Sequence, residues 1–420
     1  MLAMTGRVTM LGISRWTGPG GSYRSVQRLF YTVLPWPTLF WTFFHQQLFR
    51  PDDVYLLAGD ETVIGKAGDQ TYGLDRFFAG LVSRVIPGLA FFTLALISTQ
   101  QRRSFPIQVE QVVRNEAEKA ASRARSAAKR APKSAEPRKR GRPKGSKNKT
   151  SAVVLSPELL RIQVMVQAQL KRMAGLLTVT YLALDGHFGS HPALHMVPQT
   201  GLHLISKLRR DSALYLPYDG TYQGHGPHRK YGTKLDYRRL PDACLKQTTT
   251  DSLIDTRTYH VQALHKEFNQ ALNVVILVKI NQQTQTWAHV VLFSSDLTLA
   301  YDQLIDYYRL RFQIEFNFRD AKQFWGLEDF MNISPTAVTN AANLSLFMVD
   351  LSQCLLDGLR SADPECSILD LKAHYRGTQY VAAAIEMLPQ KPEPLLLARI
   401  FSRLAALGRI HAGQPALASP

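Results

Sequence analysis

The sequence predicts a mixed α/β fold, and three observations predict it. Short apolar runs at 54–59 and 176–184 each lead into an aspartate, Asp60 and Asp185, with a polar turn after it. A third run at 85–98 is shorter than the ~20 residues that span a bilayer and contains Pro87 and Gly88, so it reads as a buried strand. From Leu297 onward the apolar spacing turns helical. A length of 420 residues suits two or three domains and a sizeable core.

Taken in order, residues 1–50 read as a helical part. A helix-like piece is followed by the turn Gly18-Pro19-Gly20-Gly21 and a second piece that Ser22 can cap. Arg24 and Arg28, four apart, share a face of that piece. A helix-turn-helix DNA reader and an ordinary amphipathic helical pair both fit. Residues 51–105 form the first part of the core, with strands at 54–59, 62–65 and 88–97. Residues 106–150 are rich in Ala, Lys, Arg and Pro and bury too little to offset ordering entropy, so they read as a partly helical, then disordered, basic linker. Order returns at Ser156-Pro157-Glu158. Over 151–210 the core continues with a helix at 159–170 and strands at 176–184 and 203–208. Residues 211–297 form a β-rich insertion with strands at 272–280 and 287–294. Residues 298–360 are core helices: one long helix, capped by Ser295 or Asp296 and running to about Phe324, then one over 337–356. Residues 361–420 are helical and a candidate dimerisation region.

The formal charge is +17, of which the stretch 114–149 carries +11. So basic a balance favours a polyanionic partner, and the absence of a spanning segment favours nucleic acid over membrane. Cys244, Cys354 and Cys366 show no CxxC spacing, which points to reduced thiols in a cytosolic protein rather than zinc or disulfides. His187, His191 and His195 are spaced by four, but Pro192 interrupts them, so they read as a turn and helix start.

The sharpest pattern is Tyr308-x2-Arg311-x3-Glu315-x6-Lys322. On one helix these four positions fall within an arc of roughly 60°. A carboxylate flanked by Arg and Lys suits a metal ion beside phosphates, because Arg offers a bidentate fork and Lys a point charge. A solvated, salt-bridged helix face is the bland alternative. Two strands ending in Asp60 and Asp185 shift the balance, since strand ends are where an open α/β sheet presents its chemistry. Phosphodiester cleavage with two hard ions ~3.5–4 Å apart needs one shared carboxylate and one more on each side. Asp60 is assigned the bridging place, with Asp185 and Glu315 as the other two ligands.

The Tyr308, Arg311, Glu315, Lys322 spacing resembles the signature of bacterial cut-and-paste insertion-sequence transposases of the DDE superfamily. Asp185-Gly186-His187-Phe188 is similar to their second acidic block, Asp-Gly-x-Phe. Asp60-Glu61-Thr62 is similar to their first, commonly Asp-Asp-Thr, from which Glu61 departs. The resemblance spans roughly residues 50 to 350. It implies an RNase H-like mixed sheet flanked by helices, two Mg²⁺ (or Mn²⁺) ions, and double-stranded DNA, both element ends and target, as partner. It further implies a homodimer in the DNA complex and a nucleoid-associated place in the cytoplasm. Tyr308, Arg311 and Lys322 would touch terminal phosphates, and Trp287 of the insertion would stack on a flipped base.

Within the linker, Arg138-Lys139-Arg140-Gly141-Arg142-Pro143-Lys144 resembles an AT-hook. Arg140, Arg142 and Lys144 would then lie in a narrow minor groove or bind DNA nonspecifically. Two other readings stay open: a catalytically inactive DNA-binding descendant of a transposase, and a structure-selective nuclease on the same core.

Overall fold

The computed structural model describes residues 1–18, 21–130, 153–222, 224, 228–268, 270–361, 363–390 and 392–411. The chain divides into two compact units, residues 1–111 with 310–420, and residues 112–309.

The first unit opens with three helices, α1 (Met10–Ser14), α2 (Tyr23–Tyr31) and α3 (Trp36–Phe43), the last continuing through a π turn at Phe44–Leu48. Ser22 caps α2 as expected, its side chain accepting from the Ser25 amide. Four strands follow: β1 (Tyr55–Gly65), β2 (Asp75–Ala79), β3 (Arg84–Ser98) and β4 (Arg103–Gln111). β3 is the hub of an antiparallel meander, pairing β1 along one edge and both β2 and β4 along the other.

The second unit begins with α4 (Glu116–Arg130) and α5 (Pro157–Met173), whose Ser156 cap and Pro157 at the first turn match the order signal in the sequence. Next come β5 (Tyr181–Leu184), α6 (His191–Met196) and β6 (His203–Leu208), with β5 and β6 parallel. The β-rich insertion is present as β7 (Leu214–Pro217), β8 (Tyr231–Lys234), β9 (Leu245–Asp251), β10 (Ile254–His265), β11 (Ala271–Asn281) and β12 (Trp287–Ser294). In this unit the strand order is β5-β6-β12-β11-β10-β7-β8, with β9 also on β10. Helix α7 (Tyr301–Leu310) packs Leu304, Ile305 and Tyr308 on Ala183, Ile205, Val275 and Leu292.

The chain then re-enters the first unit as α8 (Gln313–Phe324), α9 (Pro335–Arg360), α10 (Ile368–Glu386) and α11 (Pro394–Ala405). One sheet face, with Ile64, Leu89, Phe91, Ala95 and Val109, is covered by Val26 and Phe30 of α2, Phe40 of α3, Ile314 and Phe318 of α8 and Leu346 of α9. Each fully buried Phe or Leu contributes roughly 1.5–3 kcal/mol, so this layer fixes β1 and α8 together. The N-terminal helices are part of that core. Buried Asn340 of α9 accepts from Trp36 Nε1 at 2.7 Å and donates to the Leu29, Phe30 and Thr32 carbonyls, satisfying the end of α2.

This mixed α/β architecture with helices at both ends is consistent with an RNase H-like core: an antiparallel meander whose first strand carries one acid, and a parallel pair with an acid after its first strand. Three expectations change. β1 does not stop at Asp60 but runs on to Gly65, because β3 pairs with it residue for residue. β4 carries regular structure past 105, to Gln111, held by its ladder to β3. The long helix expected through 324 starts only at Tyr301 and is interrupted at Arg311–Phe312. Its expected caps are engaged elsewhere: Ser295 Oγ accepts from the Leu204 amide, and Asp296 accepts from Thr298 and the Tyr181 hydroxyl.

Candidate active site

Asp60 sits midway along β1, opposite Thr93 of β3. Its Oδ1 accepts from the Glu61 amide at 2.8 Å, and its Oδ2 accepts from Arg311 Nη1 at 2.7 Å. Arg311 occupies the interruption between α7 and α8, where Ile314 N bonds Arg311 O and Glu315 N bonds Phe312 O, tighter than an α-helical turn. The Nη2 of the same guanidinium lies 3.8 Å from Glu315 Oε1. Arg311's side chain is only 10% exposed and Asp60's 18%, whereas Glu315's is 47% exposed. Two carboxylates, one from a strand and one from the first turn of a helix, therefore flank one buried cation. The helix N-terminus adds a favourable field for Glu315. Asp60, Thr62, Glu315 and Lys322 line one cleft of 810 Å³.

Two lysines fasten the elements that present these acids. Lys322 of α8 donates to the Val63 carbonyl of β1 at 3.1 Å and stands 3.7 Å from Glu328. Its amine titrates below the usual lysine range, chiefly because it is buried, with Glu328 opposing. Lys66, just past β1, donates to the Glu328 and Phe330 carbonyls at 2.8 and 2.7 Å and lies over the Phe330 ring. Burial lowers its amine to about 8. Together with Arg311, these side chains tie β1 to α8 and the loop beyond it.

In the second unit, Asp185 directly follows β5 and caps a 3₁₀ turn, its Oδ1 accepting from the His187 amide at 2.9 Å. Ser206 of β6 donates to the Asp185 carbonyl at 2.7 Å. Gly189 is obligatory here: a Cβ would stand 2.1 Å from the Lys207 carbonyl. Asp185 opens onto a cleft of 430 Å³ lined by His187, Lys207, Arg209, Arg210 and His289. Lys207, Arg209 and Arg210 are all exposed. His289 stacks between Tyr237 (4.4 Å) and Trp287 (5.0 Å), and Arg238 lies 5.6 Å over the Trp287 ring.

Within the first unit the structure thus gathers Asp60, Glu315 and Lys322 on one cleft, with Arg311 paired to both acids; Asp185 belongs to the second unit. Tyr308 is on α7, half-buried against an apolar cluster, so the four-residue stripe on one continuous helix is corrected to Glu315 and Lys322 on α8. Lys322 is directed at the β1 backbone and Glu328. Trp287, 36% exposed, is not a core residue. Arg140, Arg142 and Lys144 lie outside the described residues. Among the described residues no group of three or more His, Cys, Asp or Glu side chains stands together as a metal cage. Their cysteines are free thiols, and none of their helices is long and apolar enough to cross a membrane.

Sequence reasoning missed several residues. Lys66 looks like a solvent-facing turn residue, yet it is a buried tie. Phe312 and Phe316, exposed at the cleft rim with Arg319 over the Phe316 ring, sit at i and i+4, a spacing that marks a shared face. The Lys207, Arg209, Arg210 cluster at the end of β6 was legible as charge alone.

A family model described as DDE superfamily endonuclease matches residues 1–271. The matched stretch takes in Asp60 and Asp185 and ends before Glu315. No curated protein matches the chain.

Proposed function

We propose that this chain, which belongs to the DDE superfamily endonucleases, is a DNA transposase that cleaves element ends and transfers the freed 3′-hydroxyls into target DNA. Membership makes it a transposase-type nuclease, for which a divalent metal ion is typical; cut-and-paste chemistry with two Mg²⁺ or Mn²⁺ ions is our reading. The observation that carries it is the pairing of Asp60 and Glu315 around one guanidinium in an open cleft. Carboxylate oxygens that already share a cation suit hard divalent ions.

In this reading Asp60, Asp185 and Glu315 are the metal ligands. When bound, the ions supply Lewis-acid stabilisation of the attacking and leaving oxygens of an in-line displacement. The chain's own work is positioning. β1, paired along its whole length with β3, fixes the Asp60 backbone. The Lys66 and Lys322 ties hold α8, and so Glu315, against β1. Of the predicted phosphate contacts Arg311 is kept, since Lys322 is engaged by β1 and Tyr308 by an apolar cluster; Lys207, Arg209 and Arg210 steer the DNA backbone toward Asp185. Trp287, stacked and partly exposed, takes an unstacked base. Pairing of two ends would involve a second copy of the chain.

A second reading, a DNA-binding descendant without cleavage, is favoured by one observation: Arg311 takes up Asp60 Oδ2. Cleavage of plasmid DNA bearing the gene's own flanking sequences, with Mg²⁺, separates the two. Asp60→Asn and Glu315→Gln are expected to lower cleavage by about 10³-fold while DNA affinity holds. Cleavage that is absent in the parent protein, or unchanged in both variants, would reject the transposase reading.

A further inference from the structure

We infer that Arg311 is a removable internal cation: its guanidinium fills the charge site between Asp60 and Glu315 until a divalent ion arrives, and loading requires it to leave Asp60. The inference rests on the metal-ligand reading of Asp60 and Glu315 given above.

Three features carry it. The contact with Asp60 is a direct charge-assisted hydrogen bond at 2.7 Å, and it engages Oδ2, while Oδ1 is held by the Glu61 amide. A divalent ion drawing on Asp60 Oδ2 would meet the guanidinium at that same oxygen, where the repulsion between the two cations opposes its binding. Second, the guanidinium reaches both acids unequally, 2.7 Å to Asp60 and 3.8 Å to Glu315, so it offsets one of their two negative charges without closing the pair, and Glu315 stays half-exposed. Third, Arg311 belongs to neither helix. It lies in the two-residue interruption between Leu310 and Gln313, and its side chain can rotate about its own bonds while its carbonyl keeps the bond from the Ile314 amide. Lys322, by contrast, donates to a β1 carbonyl, an acceptor that no metal ion in this cleft would contest. The device makes free metal a weak ligand, and DNA phosphate a second acceptor that draws Arg311 away from Asp60.

The linkage has a defined sign. If the protein must first release Arg311, apparent metal affinity is the intrinsic affinity multiplied by the fraction of molecules already released. Removing the guanidinium should therefore tighten metal binding in the absence of DNA. The test is a titration of the DNA-free, full-length protein with Mn²⁺, followed by the electron paramagnetic resonance signal of free Mn²⁺, with folding checked by circular dichroism. Arg311→Gln is expected to bind Mn²⁺ about tenfold or more tighter than the parent. The gain should vanish in Asp60→Asn/Arg311→Gln. Equal or weaker binding in Arg311→Gln would overturn the inference, since a permanent tie that orients Asp60 and Glu315 predicts a loss. No saturable binding in any folded variant would reject the metal-ligand reading itself, and the inference with it. Should Arg311→Gln fail to fold, the parent protein still decides: the Arg311 side-chain N–H resonance, identified by its loss in Arg311→Lys, must exchange faster with solvent when Mg²⁺ is added, and an unchanged rate refutes release.

Discussion

The cleft at Asp60 and the cleft at Asp185 are built on opposite electrostatic plans. At Asp60 two acids surround an internal guanidinium, and the supporting lysines are spent on backbone carbonyls. At Asp185 one acid is spent on a turn, and the exposed side chains are cationic: Lys207, Arg209 and Arg210. The first cleft is short of a cation that could replace Arg311; the second is short of an anion. A metal-dependent nuclease needs both, one surface to hold hard cations and one to receive a phosphate backbone. The supports differ as well. Asp60 is gripped by ladder pairing within a continuous strand, whereas Asp185 stands after a four-residue strand and depends on side chains and glycines around it.

The largest expected effect concerns the rigid side of this contrast. Lys66→Met removes the donor to two carbonyls behind β1 and should cost about 3 kcal/mol at neutral pH, measured by urea unfolding. The same residue has a pH signature. In the folded chain burial lowers its amine to about 8, while the unfolded chain keeps the higher ordinary value. Below pH 8 both states are charged and the burial penalty is fully present. Between pH 8 and 10 the unfolded state binds protons that the folded state has shed, so stability rises with pH. Lys372, lowered to about 8 by the same cause, adds a second contribution of the same sign. The parent should gain on the order of 1–2 kcal/mol per lysine over that window, and Lys66→Met should lose its share. A flat profile in the parent, or the same rise in Lys66→Met, would mean that the tie is not buried as the fold has it.

Next in size is a test of the cationic side. Lys207→Gln, Arg209→Gln and Arg210→Gln combined should weaken DNA binding by about 100-fold at moderate salt. The slope of log K against log salt should fall by roughly 3, near one per lost phosphate contact. Fluorescence anisotropy across a salt series reads both. An unchanged slope would show that this cleft faces away from DNA and break the comparison.

What the sequence disclosed follows the same division. Asp185, Ser22, Ser156 and strand β12 were legible because strand ends, caps and alternation are local signals. The interruption at Arg311–Phe312 was not, since it contains neither Pro nor Gly, and the partner of its arginine, Asp60, lies 251 positions away in the chain. Asp296 carried a valid cap signal that a distant tyrosine redirected. Lys66 was invisible for the same reason: its partners lie more than 260 positions on. The acids could be nominated from pattern, but the cation between them could only be seen in three dimensions.

The smallest expected effect probes how Asp185 is held. Ser206 is fully buried, and its hydroxyl donates to the Asp185 carbonyl, the one described side-chain bond to that peptide. Ser206→Ala should cost only about 1 kcal/mol in unfolding, the net worth of one such bond. If Asp185 is the proposed metal ligand and depends on that bond for its orientation, cleavage should fall further than stability does, by about tenfold, because small misplacements at a reacting centre are amplified in rate. Asp60 has no such dependence: its peptide is held by β1–β3 pairing, so Thr62→Val, two residues along the same face, should leave cleavage within about threefold. Equal effects on rate in Ser206→Ala and Thr62→Val would mean that both acids are equally well fixed, and the contrast between a strand-held and a turn-held carboxylate would have no consequence for catalysis.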